Sequence, residues 1–286
     1  MIETTGFVNI LKPTGMTSSD VVCSVKKILK TKKVGHLGTL DPAASGVLPI
    51  AIGKATKFFD YFLKKDKEYF AIVEFGIETD TLDSFGNITK TEDIEVSANQ
   101  IGEILPKFIG KISQIPPKYS AIKINGKKAC ELARNDIDFE IKPKKIEIYT
   151  IELLRQIEKN KFLFKVHCSA GTYIRTLFND IATEIGTVAT TPVIIRTKSG
   201  RFSSDNAITL EELERIGEPT KIEDIFNDYQ IITVNETNAK KLINGVSVVA
   251  SSEIKEKEFF LSYDGKLIGL YEIKNGNYNR IVYLYN

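Results

Sequence analysis

The stretch Gly35-His36-Leu37-Gly38-Thr39-Leu40-Asp41-Pro42 sets one carboxylate, Asp41, among small residues directly after a lysine-rich run. Glycine lets a backbone approach a large ligand closely, and proline fixes the exit from a turn. An acid held this way beside cations suggests chemistry on an anionic polymer, although Asp next to Pro also serves as a plain turn residue. Arg175 is the second candidate. It follows Thr172, a natural N-cap, and so falls in the first turn of a helix. A cation there faces the positive end of the helix dipole, at a cost of roughly 0.3–1 kcal/mol. A carboxylate partner would offset this cost, and pairing with Asp41 would aim that acid and hold it as its carboxylate. The alternatives for Arg175 are water, Asp180 or Asn179. Tyr69 and Tyr173 lie at the edges of regular elements, where each serves either as core or as a stacking face for an unpaired base. His36, beside Lys32 and Lys33, is either structural or a contact to phosphate and bases. His167 and Cys168 are adjacent in a strand and point to opposite faces, which argues against a Cys–His couple.

These side chains need elements to position them. Gly6 to Leu11 reads as a strand and Lys12-Pro13-Thr14-Gly15 as a turn. Thr17, Ser18 and Ser19 offer N-cap oxygens to a helix whose apolar stripe is Val21, Val22, Val25, Ile28 and Leu29. Its lysines fall mostly off that stripe, so a basic face runs into the Asp41 loop. Helices are predicted near Lys54 to Leu63, Ala98 to Phe108, Lys127 to Asn135 and Leu210 to Ile216. Strands are predicted over Lys67 to Gly76, Lys145 to Gln156 and Lys161 to Cys168. Tyr69, Ala71, Val73 and Phe75 should share one face, as should Phe162, Phe164 and Val166. After Thr172, Ile174, Leu177, Phe178, Ile181 and Ile185 make a buried helical stripe that Gly186 ends. Asn125-Gly126 and Asp264-Gly265 read as turns. Beyond Asp228 the texture changes to short strands with one helix around Asn238 to Ile243. This divides the chain into 1–228 and a small β-rich domain, 229–286.

The chain has 286 residues, 42% hydrophobic and 27% charged, with a net charge of only +2. It is therefore no polybasic coat, and any basic surface must come from local asymmetry. From Cys23 to His36 there are five lysines and no acids; from Lys118 to Lys145 there are eight Lys/Arg against four Asp/Glu. Each run taken alone also reads as a solvated face. The three cysteines and two histidines lack metal-ligand spacing, so no metal is expected. The odd cysteine count and the want of a signal peptide fit the cytoplasm, and no apolar run is long enough to span a bilayer.

Taken together, the segments resemble the bacterial tRNA pseudouridine-55 synthases, the TruB family, over nearly the whole first 205 residues. The anchors are Gly6 to Ser18, Lys33 to Pro49, Lys67-Glu68-Tyr69, Gly76 to Thr81, Pro116 to Ala121 and Cys168 to Arg175. Several long motifs in one order are a specific signal. The resemblance implies that Asp41 is the essential aspartate, that Tyr69 stacks on the target base and takes part in proton transfer, and that Arg175 pairs with the aspartate. It implies that His36 contacts RNA where the base has left its stack and that Tyr173 lines the pocket. Arg196-Thr197 falls where the family touches substrate from a later strand, which makes Thr197 a substrate-binding candidate. Lys57 matches a family lysine near the site. The segment about 118–145 resembles an RNA-gripping insertion, and the tail a reduced PUA domain, an RNA-binding module.

The implied fold is α+β: a mixed, mainly antiparallel sheet with flanking helices around a basic cleft, plus the small β-rich C-terminal domain. The implied reaction detaches uracil from ribose, rotates it and rejoins it through C5, needing no cofactor. The uridine sits in the T-loop of tRNA and must be flipped out. Asp41 attacks the sugar carbon, attacks C6 of the base or assists proton abstraction; our hypothesis is nucleophile or base at the ribose. The expected partner is tRNA, with no guide RNA and no membrane, and the expected state is a monomer. Two other readings are the guide-RNA-dependent branch of the family, which usually lacks the insertion and carries a fuller PUA domain, and a tRNA-folding chaperone with catalysis secondary.

Overall fold

The computed structural model describes residues 4–285 except 121, 125, 136, 252, 253 and 255, and for 128 and 130 the backbone alone. Its central sheet has nine strands: β1 (Gly6–Lys12), β2 (Val34–His36), β3 (Ser45–Ile52), β4 (Lys67–Phe75), β5 (Gly110–Gln114), β6 (Lys144–Glu158), β7 (Lys161–Cys168), β8 (Ala189–Ser199) and β9 (Phe202–Ser203). The order is β1-β3-β8-β4-β7-β6-β5, with β2 on β3 and β9 on β8. Only the β3–β8 pairing is parallel, so the sheet is mixed and mainly antiparallel.

Strand periodicity decides where the core sits. In β4, Tyr69, Ala71, Val73 and Phe75 are buried, and in β7 so are Phe162, Phe164, Val166 and Cys168. The run Val47 to Ile52 is apolar on both faces because both are covered. Leu48, Ile50 and Ile52 join the main core, while Val47 and Ala51 join a second, aromatic-rich cluster. Several helices close the main core, and two of them lead to the Asp41 loop and to Arg175. Helix α1 (Ser18–Ile28) buries Val21 and Val25, and α2 (Ile174–Ile185) buries Ile174, Leu177, Phe178 and Ile181. Thr17 caps α1 in a reciprocal box with Asp20, and Lys26 and Lys27 sit favourably in its last turn.

Two expected helices are tighter than α in part: Gly53–Phe58 and Leu105–Phe108 are 3-10 turns abutting the α-helices Phe59–Leu63 and Ala98–Ile104. The helix expected from Lys127 begins at Ala129, because Lys127–Lys128 pair with Lys123–Ile124. Asn125 of the expected turn lies outside the described residues.

The C-terminal segment builds its own four-stranded sheet, β10 (Ile231–Thr233), β11 (Phe259–Tyr263), β12 (Lys266–Lys274) and β13 (Asn277–Tyr283), in that order. The Asp264-Gly265 turn joins β11 to β12 with both residues at positive φ, as a two-residue hairpin loop requires. One face of this sheet shares a core with the main body. Phe260, Leu270 and Val282 pack with Phe7, Phe58, Phe62 and Phe226. At that seam the Glu258 carboxylate accepts from the hydroxyls of Tyr61 and Tyr229, each at 2.7 Å.

Candidate active site

The Asp41 loop runs from β2 to β3, and its backbone is held from three sides. The Ser18 hydroxyl accepts from the Leu40 N–H and donates to the Leu40 carbonyl, both at 2.9 Å. Lys12 Nζ donates to the carbonyls of Pro13 at 2.8 Å and Met16 at 2.7 Å, with that of Pro42 at 3.5 Å. The Arg196 guanidinium donates to Val47, Thr39 and Gly38 carbonyls at 2.8, 3.0 and 3.2 Å. Lys12 and Arg196 are both buried, at 0% and 1% exposure. Burial pushes Lys12 down to about 8, opposed by the nearby Asp41 carboxylate, so it remains a cation at neutral pH. Gly46 must be glycine: its φ is +106°, and a Cβ would collide with the Arg196 backbone.

Arg175 reaches this loop from the second position of α2. Its Nη2 lies 2.7 Å from Asp41 Oδ2, and the arginine side chain is 3% exposed against 36% for the aspartate. The same guanidinium donates to the Thr81 carbonyl at 2.7 Å and the Tyr119 carbonyl at 3.1 Å, and Asp83 Oδ2 lies 3.6 Å from Nη1. The unfavourable cation at the helix start is thus met by two carboxylates and two carbonyls. Asp83 is itself oriented, since its Oδ1 accepts from the Thr81 hydroxyl at 2.7 Å and the Phe85 N–H at 3.0 Å.

Thr172 does not cap α2. Its hydroxyl donates to the Ser169 carbonyl at 3.0 Å, and Tyr173 stands at the N-cap without a side-chain capping bond. The helix begins one residue later than the pattern suggests because the buried Gln114 amide takes up the Tyr173 backbone instead.

Asp41, Arg175, Tyr69 and Tyr173 line one cavity of about 520 Å³, together with Lys64, Lys67, Lys144, Ile194 and Arg196. Tyr69 faces Arg196 directly across the β4–β8 pair. Burial pushes the Tyr69 phenol up to about 12 against the pull of Arg196, and Tyr173 is also raised by burial. Tyr69 is therefore a neutral ring and hydroxyl at neutral pH. Lys67 is held at about 8, chiefly by burial and then by Arg196. Cys168 is raised to about 12 by burial, which makes it a poor nucleophile, and His167 turns to the other face to meet Asp66 at 2.7 Å.

The other three expected residues lie outside the cavity wall. Thr197 follows cavity-facing Arg196 and so points to the other side of the sheet; it is also the extra residue of a β-bulge, since Arg196 pairs with Tyr69 and Lys198 with Glu68. Ile194 and Arg196 enter the cavity from that strand in its place. His36 sits at the end of β2, two residues before the wall residue Gly38. It is half-buried, its Nδ1 has no hydrogen-bond partner among the described residues, and burial lowers its pKa, with Arg196 adding to the effect. Lys57 Nζ lies 4.9 Å from the Tyr283 ring, on the seam with the C-terminal sheet. Sequence reading missed Asp83, Ile194, Gln114 and the structural role of Arg196. A buried position for Arg196 was signalled by the alternation of its strand.

The arrangement offers an oriented carboxylate, an aromatic face and buried cations around a space fit for one nucleotide-sized ligand. The family model described as "TruB family pseudouridylate synthase (N terminal domain)" matches residues 26–174. A tRNA pseudouridine synthase B of Clostridioides difficile (strain 630) is 42% identical, with 94% of this chain and 95% of that protein covered. One of Clostridium acetobutylicum is 47% identical over 85% of each. Among solved structures, a Cbf5-Nop10-Gar1 complex contains a chain 27% identical with a TM-score of 0.71, covering 98% of this chain and 84% of that one. An H/ACA ribonucleoprotein bound to a substrate RNA containing 2′-deoxyuridine matches at 25% identity and a TM-score of 0.69, with 98% and 85% covered. The fold, the motifs and these likenesses agree, and the chain belongs to the TruB family of pseudouridylate synthases, which are isomerases.

Proposed function

We propose that this chain isomerises uridine to pseudouridine at position 55 in the T-loop of tRNA, acting as a monomer without a guide RNA. The observation that carries the reading is Asp41 held at 2.7 Å by a buried arginine, in the cavity that Tyr69 also lines. The identity to tRNA pseudouridine synthases B, 42% over nearly the full chain, supports tRNA over guide-directed substrates.

The reaction conserves atoms. Asp41 attacks the ribose C1′, the N1–C1′ bond breaks and uracil leaves as its anion. The base rotates, C5 attacks C1′ and releases Asp41, and the C5 hydrogen is lost as a proton while N1 gains one. Tyr69, a neutral phenol, stacks on the base and holds it through rotation. The target uridine must leave its stack to reach this cavity, at a cost of a few kcal/mol. His36, at the end of the lysine-rich run, replaces part of the lost stacking, and the basic face of α1 holds phosphates. The insertion about 118–145 grips the T-arm, and the C-terminal sheet acts as a reduced PUA-like RNA-binding unit.

Tritium release from a tRNA labelled at C5 of the T-loop uridine tests this. Release by wild type and none by Asp41→Asn supports the isomerase and the role of Asp41. If neither releases tritium while both bind tRNA, the chain is a binding protein or chaperone and the reading fails.

A further inference from the structure

Gln114 ends β5, and Lys144 stands directly opposite it in β6. Residues 115–143, which contain most of the insertion, leave the sheet at one member of this pair and return at the other. Both root residues turn onto the stretch that leads into α2. Lys144 lies over Gly171, where its ammonium fills the space of a missing side chain. Gln114 is 1% exposed, and its amide brackets the Tyr173 backbone: Nε2 donates to the Tyr173 carbonyl at 3.1 Å, and Oε1 accepts from the Tyr173 N–H at 2.8 Å.

That bracket does the work of a helix cap from outside the helix. Tyr173 is the N-cap of α2 and lacks a side-chain cap bond. Its carbonyl also accepts the first helical bond, from the Leu177 N–H at 3.0 Å. Two residues on, Arg175 reaches Asp41, and the same Nη2 donates to Tyr119 inside the insertion. The root of the insertion and the start of the arginine-bearing helix are therefore one hydrogen-bonded unit. A primary amide suits this place because it offers a donor and an acceptor side by side. An ionised carboxylate would only accept, and would oppose the Tyr173 carbonyl.

We propose that Gln114 is a positioning residue for the isomerisation. By bracketing Tyr173 it aims the Tyr173 ring and the Arg175 guanidinium at the Asp41 carboxylate, and it ties that aim to the insertion. The inference rests on the function proposed above, and it places no contact between Gln114 and the substrate.

The test compares wild type, Gln114→Leu and Gln114→Glu by single-turnover tritium release, tRNA Kd and thermal melting. The pH is varied from about 5.5 to about 8.5, a range that spans the pKa of a buried glutamate. Gln114→Leu is expected to lower the single-turnover rate about 10- to 100-fold, with Kd changed less than about threefold, because misaim acts on the reacting geometry. Gln114→Glu is expected to regain rate as the pH falls, relative to wild type, since its protonated carboxyl donates to Tyr173 as the amide does. A folded Gln114→Leu within about twofold of the wild-type rate overturns the proposal, as does a loss wholly in Kd. Should the leucine variant not fold, the glutamate variant decides, and a pH profile parallel to wild type overturns the proposal. A wild type that releases no tritium fails the isomerase reading first, and this inference with it.

Discussion

Arg175 stands between two carboxylates, 2.7 Å from Asp41 and 3.6 Å from Asp83, and only Asp41 lines the cavity. Asp83 is buried and committed to its own loop by the Thr81 hydroxyl and the Phe85 N–H. The arginine is thereby anchored on one side and presents its other side to the partly exposed acid. Thr81 and Tyr119 carbonyls complete the anchorage.

A lysine at 175 carries the charge but has a single donor group, and cannot meet Asp41, Thr81 and Tyr119 in one plane. Arg175→Lys is expected to lower the single-turnover rate about 100-fold, with a smaller effect on tRNA affinity. Rapid-quench kinetics on labelled tRNA check this; a rate within about threefold of wild type would remove Arg175 from the mechanism.

Arg196 bonds the loop carbonyls of Gly38 and Thr39 and the β3 carbonyl of Val47, and its bonds to Gly38 and Val47 are buried. Replacing it by methionine keeps apolar bulk and removes every donor. Arg196→Met is expected to cost about 2–4 kcal/mol of stability, because buried acceptors lose their partners. Residual activity should fall as well, since the Gly38–Thr39 backbone leading to Asp41 is released. Urea unfolding followed by activity measurement below the transition separates the two effects.

Asp180 in α2 has its carboxyl raised from 3.8 to about 6 by burial. The sign follows from linkage: the folded state holds this proton more tightly than the unfolded chain. The associated stability is fully present below pH 3.8 and is lost as the pH rises to about 6. At neutral pH the ionised carboxylate therefore destabilises the fold. Asp180→Asn is expected to stabilise by about 1–2 kcal/mol at neutral pH, less than the full shift implies because the group is only partly buried. The gain should shrink as the pH drops through this window. Denaturant unfolding at several pH values measures it, and a gain independent of pH would contradict the burial argument.

Phe226 is buried where the main body meets the C-terminal sheet, with its ring centroid 5.3 Å from those of both Phe58 and Phe260. Phe226→Ala is expected to cost about 3–5 kcal/mol through lost burial and the cavity left behind. The rate per folded molecule should stay near wild type, because this cluster does not line the active cavity. Thermal melting with activity measured well below the midpoint tests both statements.

Local pattern alone was enough for several features. Alternation in Lys67–Phe75 and Lys161–Cys168 set their buried faces, and the spacing of Val21 and Val25 set the inner face of α1. These preferences act over a few residues, so they are legible without the rest of the chain. The Asp41 loop was legible for the same reason, and the dipole argument placed Arg175 in a first turn that calls for an acid. Which acid answers it was decided by tertiary structure, which joins β2, β3 and α2 and adds Asp83 from a separate loop. Arg196 enters the cavity by the alternation that puts it on the face of Ile194, whereas the bulge at Thr197 is a property of cross-strand pairing with β4, invisible within β8 itself. The cap of α2 likewise comes from Gln114, remote in sequence, and not from the nearby Thr172. Contacts between distant segments arise only once the core has brought those segments together, and the geometry of this site consists of such contacts.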